Sequence, residues 1–487
     1  MKIRKIMLVC LLTLFLSIGF AGSNSVVFAE EANNDPGHSQ IYDILTQFPE
    51  EKIKEAKAKG YDVRFGKYDP SRYSLELYLE DKYFWEIDEL VGHNFLHGVN
   101  NLIWQSLLVW DFTVIMIVEN AFSLDVVDKF ADAVEKAVQQ MSGFTGSGYG
   151  NSGIIGNFLT FMIIVAGAWI AYKGIIQKKT TDALNGMLIS VLTLILGLAF
   201  FANAGGVMRY LNEISSGLSQ EVMGVGIVFQ QELNQKDTDS YPSEISSMVV
   251  ADNLYNMFIY EPYLMLQYGK TSNDPELTPN RINKILGNKV DSSARKQAVA
   301  EEQSGNERLG IEPNPMVTTK ATFERLTLLL LLCGSHLFLG VLFLIIAGAM
   351  LVYQFLFVLI ALFAPFAFLL SLNPAWSSIA TTWFRKFVGY QLIKLIIGIF
   401  FSMLLTLSQF LYDMSPPESV GYVWTIAMQL ILVAGVVWKR NELLEILQAP
   451  VAKDGKFAGK INIELPLSYV TKYTETLTSK VQKLRNK

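Results

Sequence analysis

Side chains that bind metals or carry redox chemistry are scarce in this chain. Its 487 residues include four histidines and two cysteines, with no HExxH stretch and no cysteine cluster. Only His93 and His97, in GHNFLHG, stand one helical turn apart; a surface or helix-entry contact is the expected role, a metal pair the alternative. No phosphate-cradling turn is present, because neither NAGGVMRY nor GSGYGNSG is followed by Lys-Ser or Lys-Thr, so the chain does not read as an energy source. No serine occupies a nucleophile elbow, and the scattered glutamates of the middle of the chain offer no carboxylate pair for a wall hydrolase. The expectation is a protein that is not an enzyme, with no catalytic, cofactor-binding or metal-ligating residues and no cofactor. Positive charge is not in excess either: the formal net charge of -5 excludes wholesale neutralisation of nucleic-acid phosphates, though not brief contact inside an assembly.

Charge of either sign is sparse, at 17% of residues against 51% hydrophobic, with a mean hydropathy of +0.30. The apolar residues are gathered into runs near membrane-crossing length, which excludes an ordinary soluble protein of this size. The fold class expected is an all-α polytopic membrane protein with about five transmembrane helices, six or seven being the alternatives.

Residues 1–29 read as a signal peptide: Lys2, Arg4 and Lys5 precede IMLVCLLTLFLSIGF, and Val27 and Ala29 stand at the positions of a small-residue cleavage site. Removal of this segment with Cys10 leaves Cys333 alone, so no intrachain disulfide forms and a packing thiol is expected. Residues 30–94 follow as an extracellular N-terminal region. Residues 95–153 contain the run Phe95 to Phe122, interrupted by Asn100, Asn101, Gln105 and Asp111. It reads either as a span or as a helix in the interface with Trp104 and Trp110 at headgroup depth. An acidic amphipathic helix, SLDVVDKFADAVEKAVQQ, and a glycine-rich joint complete that region.

Residues 154–205 form a transmembrane hairpin around YKGIIQKKTTD, with Gly156, Ala166 and Gly167 on one helix and Gly186, Ser190 and Gly197 on the other allowing close approach. Residues 206–322 are expected to be a large extracellular loop, its second half, from Thr271, solvated and partly disordered. Residues 323–438 hold a C-terminal bundle in which Leu326 to Leu372 supplies either two spans or one span and a re-entrant piece broken near Pro365. Residues 439–487 form a basic cytoplasmic tail. Within these runs Lys394 is expected to snorkel to the headgroups, an internal pairing or pore-facing role being the alternative. His336 is expected to make a cross-helix hydrogen bond, with pore lining as the alternative. Asn185, Gln354 and Gln391 read as helix-to-helix contacts, and Trp376, Trp383, Trp424 and Trp438 as an interface belt.

Positive residues in short loops stay inside. Lys173, Lys178 and Lys179 place the hairpin tip in the cytoplasm, and the acidic helix with Asp125, Asp128, Asp132 and Glu135 falls outside. The central loop is then outside and the tail, with ten Lys or Arg against five Asp or Glu, inside. Five crossings satisfy the rule, with the early run interfacial; seven, with the central loop inside, violate it at the three lysines.

The order of parts resembles the polytopic inner-membrane channel component of type IV secretion systems, in the TrbL and ConG-like group of Gram-positive conjugative elements. YKGIIQKKTTDALNGMLISVLTLILGLAFFANAG before the loop, and AGAMLVYQFLFVLIALFAPFAFLLSLNPAW with FRKFVGYQLIKLIIGIFFSMLL after it, carry the resemblance. The resemblance implies a non-enzymatic homo-oligomer around a passage in the cell membrane of a Gram-positive bacterium. Its partners would be the secretion ATPases and coupling protein at the inner face, wall-spanning components outside, membrane lipid, and single-stranded DNA bound to its relaxase in transit. A membrane scaffold of the same machine and a stand-alone transporter are the alternatives.

Overall fold

A computed structural model describes residues 53–54, 57–58, 63–78, 87–123, 126–144, 153–233, 246–272, 274–305, 312–413 and 421–448. The expected signal peptide with its cleavage site, and the residues beyond Gln448, lie outside the described residues. Among those described there is no strand, and thirteen α-helices follow in order: α1 (Ile87–Ser123), α2 (Val126–Ser142), α3 (Gly153–Ala171), α4 (Thr180–Ala202), α5 (Ala204–Leu233), α6 (Ser246–Tyr255), α7 (Glu261–Tyr268), α8 (Pro279–Leu286), α9 (Ser293–Ser304), α10 (Thr322–Leu362), α11 (Ala364–Ser371), α12 (Ser378–Asp413) and α13 (Gly421–Gln448). Five stretches are long and apolar enough to cross a membrane: Val91–Phe122, Phe158–Ile176, Thr180–Ala202, Thr319–Leu362 and Pro374–Ser408. The protein is therefore an all-helical polytopic membrane protein.

The chain divides into two compact units. The first comprises residues up to Asn120 together with Gly224–Ile345 and Ser402–Arg440, the second Ala121–Met223, Ile346–Phe401 and the residues from Asn441 on.

In the second unit α3 and α4 form the expected hairpin, and its outer surface is apolar. Phe158, Phe161, Ile163 and Ile164 on α3, and Leu184, Leu188, Leu192, Ile195 and Leu196 on α4, are exposed, the composition of a surface suited to lipid. The opposite face of α4 is made of small residues that admit neighbours. A Cβ on Gly186 would lie 2.5 Å from the Trp169 ring and 3.2 Å from Pro374, and one on Gly197 would lie 3.2 Å from Phe368. Ser190 Oγ donates to the Leu372 carbonyl at 2.7 Å. Gly186, Ser190 and Gly197 thus let α11 and the turn after it approach α4, while Gly167 has open space around it. Gly186→Ala is expected to destabilise the purified protein by about 1–3 kcal/mol through overpacking, and Gly167→Ala to leave its melting temperature unchanged; thermal melts in detergent check both.

Residues 326–372 resolve into one helix and a short second one. α10 runs 41 residues without interruption to Phe363, whose backbone closes it, and Pro365 stands in the first turn of α11, where its missing N–H has no cost. The run is therefore one long helix and a short re-aimed piece, rather than two spans. Asn373 then accepts from Ala375 N–H at 3.1 Å ahead of Pro374 and starts the turn into α12. The core of this unit is aromatic. Trp383 stacks on Phe387 at 5.1 Å, Phe387 on Phe357 at 4.5 Å, and Phe200 meets the Trp383 ring edge-on. Trp383 is buried and donates its indole N–H to the Ile360 carbonyl at 2.8 Å. It is not part of an interface belt, whereas Trp376, Trp424 and Trp438 are exposed.

In the first unit the early run forms one continuous 37-residue helix, α1. The run, expected either as a span or as an interfacial helix, is long and apolar enough to cross and packs one face against protein. Trp104, Leu107, Leu108, Phe112, Val114, Ile115 and Val118 are all buried against protein, and so is Trp110. Trp104 donates to the Tyr73 carbonyl at 2.6 Å and Trp110 to the His336 carbonyl at 3.3 Å, so both indole N–H groups are satisfied by protein. Apolar composition promised a greasy surrounding; protein supplies it.

The second half of the central loop is likewise ordered where it is described. Thr278 caps α8 with Pro279 in its first turn, and Ser292 caps α9, which ends at Gly305 with a positive φ of 72°. The expected solvation does not extend to Arg281 and Arg295, which are buried and hydrogen-bonded.

Candidate functional site: buried polar groups between the helices

The hairpin tip carries the lysines singled out in the sequence. Tyr172–Ile176 widens into a π-turn and Lys178 takes a left-handed backbone, φ 56°, which ends α3 within five residues. Lys173 Nζ lies over the Trp169 ring and donates to Gln177 Oε1 at 3.1 Å; Lys178 and Lys179 are exposed. At the other end of the hairpin, Arg209 of α5 bridges Asp128 and Asp132 of α2 at 2.9 and 2.6 Å, and Glu135 accepts the Gly205 N–H at 2.9 Å. The acidic helix is thus tied to the start of α5.

Two polar groups are buried among apolar helices. In the second unit Lys394 and Gln391 of α12 both donate to Asn212 Oδ1 of α5, at 2.8 and 3.3 Å, and Ser215 donates to the Gln391 carbonyl at 3.0 Å. Lys394 is 6% exposed, so the snorkelling expectation is replaced by internal pairing, because α5 brings an amide within reach of the ammonium. Gln391 is a helix-to-helix contact as expected; Asn185 is exposed and Gln354 is buried.

In the first unit His336 Nδ1 lies 2.8 Å from Asp111 Oδ2, with His336 1% and Asp111 0% exposed. This is the cross-helix hydrogen bond expected of His336, joining α10 to α1. It also removes the sequence objection to Asp111, which looked like a lone carboxylate in an apolar run. Gly340 keeps the approach open, since a Cβ there would lie 2.7 Å from the Trp110 indole nitrogen. Phe258 packs edge-on against the imidazole at 4.9 Å. Nearer the start of α1, His93 Nδ1 meets Thr322 Oγ1 at 2.8 Å and Asn101 Nδ2 donates to His97 Nε2 at 3.2 Å. Among the described residues no group of His, Cys, Asp and Glu is arranged to hold a metal.

The largest polar cluster joins residues 63–78 to α6–α9. Arg295, 1% exposed, donates to Glu76 Oε1 at 2.5 Å and to the carbonyls of Arg72, Ser74, Ile285 and Asn288 at 2.9–3.3 Å. Arg281 forms a two-pronged pair with Glu302 at 2.8 and 2.7 Å. Asp252 accepts from both Arg64 N–H and Phe65 N–H at 2.7 Å, and Asn101 clasps Leu75 through its N–H and carbonyl at 2.8 and 2.9 Å. Nothing in the sequence marked Arg281 or Arg295, since Arg and Glu in a polar segment read as solvated; only the caps Thr278 and Ser292 signalled an ordered helix pair.

A tyrosine nest fills the same core. The hydroxyls of Tyr73 and Tyr255 are hydrogen-bonded, and the Tyr73 ring meets Tyr263 at 5.1 Å. Burial raises Tyr73, Tyr255, Tyr263 and Tyr268 above the ordinary phenol value. It pushes Tyr260 to about 12 against the opposing charge of Arg64. The folded form holds these phenols neutral while the unfolded chain ionises them from about pH 10, so their contribution is complete below pH 10 and is lost between about pH 10 and 12. Alkaline unfolding in that window, followed by phenolate absorbance rising together with loss of helix, is the expected outcome; phenolate appearing without loss of helix would contradict it.

Fold and site together define a multi-pass helical membrane protein with a sizeable polar, hydrogen-bonded portion. Residues 268–439 match the family model described as TrbL/VirB6 plasmid conjugal transfer protein, which supports a TrbL-like type IV secretion component. The chain is also similar to the uncharacterized membrane protein YddG of Bacillus subtilis (strain 168), 21% identical over 423 residues, covering 81% of this chain and 48% of that protein. It thus spans about half the length of that relative. No solved structure matches it.

Proposed function

We propose that this protein is a non-enzymatic channel subunit of a conjugative type IV secretion machine in the cell membrane of a Gram-positive bacterium. The observation that carries the reading is the family match, which runs from α7 through the Arg281 and Arg295 layer and α10–α12 into α13. In this reading several copies surround a passage and help relaxase-bound single-stranded DNA across the membrane. ATPases and a coupling protein dock at the inner face, and wall-spanning components meet the polar layer outside.

Residues 63–78 share one hydrogen-bonded core with α6–α9, so both occupy the same side of the membrane, taken as the outside. α3 and α4 cross and return between them, which puts Lys173, Lys178 and Lys179 inside, where the charge rule favours them. In this scheme α1, which is long and apolar enough to cross, is counted as no crossing to keep the charge rule, and α10, α12 and α13 cross to bring the tail inside.

Crosslinking in cells during transfer tests the functional reading. DNA captured with the protein when relaxase is present, and not when it is absent, is the expected result. Capture of partner proteins without DNA would replace the channel by a scaffold.

A further inference from the structure

The backbone around Glu76 is surrounded by more hydrogen-bond donors than the protein uses. Arg325 has no exposed surface, and its Nη1 donates to the Glu76 carbonyl at 2.8 Å; its Nε and Nη2 find no acceptor among the described residues. Gln267, equally buried, accepts the Glu76 N–H through Oε1 at 2.9 Å and leaves Nε2 without an acceptor. The hydroxyl of Tyr263 is buried and unpartnered as well, within electrostatic reach of both Glu76 and Arg325. Three side chains from α7 and α10 therefore converge on one stretch of chain with their N–H and O–H groups unspent.

The neighbouring guanidiniums show what is missing. Arg295 has the Glu76 carboxylate and Arg281 has the Glu302 carboxylate, whereas Arg325 bonds a single carbonyl and feels only the Glu76 charge that Arg295 already pairs. A buried guanidinium without a counter-charge is strongly unfavourable. Water would serve the loose donors, with Asn100 Oδ1 on α1 as an acceptor it would bridge to, but water adds no negative charge.

We propose that Arg325 Nε and Nη2, Gln267 Nε2 and the Tyr263 hydroxyl hold a small inorganic monoanion of the chloride class. The anion completes the ion pairing of the layer and fastens the start of α10 to residues 74–76. Each of these donor atoms is closed to solvent, which suits a halide and excludes the phosphate of a macromolecule. The inference stands on this geometry and not on the channel reading.

The test uses the full chain in detergent, melted in sodium chloride and in sodium gluconate at equal ionic strength and followed by tryptophan fluorescence. Chloride is expected to raise the melting temperature saturably, by roughly 2–4 °C, and bromide to act likewise. Gln267→Glu keeps the contact to Glu76 N–H and turns its second oxygen toward Arg325, supplying the anion from within, so this variant should melt alike in both salts. Equal melting of the unaltered protein in chloride and gluconate would overturn the proposal, as would a full chloride shift retained in Gln267→Glu. Should Arg325→Met fail to fold, these two comparisons still decide.

Discussion

His336→Leu should cost about 3–5 kcal/mol of stability, enough to remove most folded protein from the membrane. The substitution strips the partner from a carboxylate with no exposed surface, and an unpaired buried charge is far more costly than a missing pair. Asp111→Leu should be milder, because a neutral imidazole tolerates burial better than a carboxylate does. The double variant Asp111→Leu with His336→Leu should recover most of the loss, since replacing a buried pair by packed apolar groups is often neutral or stabilising. Yield of protease-resistant protein and thermal melts of the three variants provide the comparison. A double variant worse than either single one would mean that the pair is favourable in its own right, and that the cost assigned to the lone carboxylate is wrong.

The second large effect belongs to Arg295→Lys. The guanidinium serves one carboxylate and four carbonyls on two separate stretches, residues 72–76 and 285–288. A lysine ammonium keeps the charge but not the fork that reaches both stretches at once. At least two buried carbonyls lose their donors, each worth about 1–3 kcal/mol, so a loss of roughly 3 kcal/mol is expected. Hydrogen exchange should show residues 63–78 and α8–α9 losing protection together while α3 and α4 remain unchanged. Loss in only one of the two stretches would show that Arg295 does not join them.

How much of this was legible in the sequence follows from what an apolar run can and cannot say. The α3–α4 hairpin was readable because its side chains have no protein neighbour on their outer face, so composition alone dictates lipid. The break before α11 was readable from Pro365. α1 was left open between a span and an interfacial helix because apolar composition does not distinguish lipid from a protein core as the surrounding medium. Asp111 was visible as a problem, but its solution, His336, lies 225 residues on. Arg281, Arg295 and Arg325 were invisible, because a buried arginine and a solvated one have the same local sequence. Lys394 was misplaced for the converse reason: snorkelling is the default for a long cation near a helix end, and only the fold reveals Asn212 beside it.

The central claim is that the leader and the middle of the chain form one body on the outer side, with the lysine-bearing hairpin tip on the other. Single cysteines introduced as Lys67→Cys, Lys178→Cys and Lys289→Cys in a Cys333→Ser background, treated in intact wall-stripped cells with a membrane-impermeant maleimide, test it most directly. Labelling at positions 67 and 289, with position 178 reacting only after the cells are opened, is the expected result. Labelling of position 178 from outside, or opposite behaviour of positions 67 and 289, would contradict it.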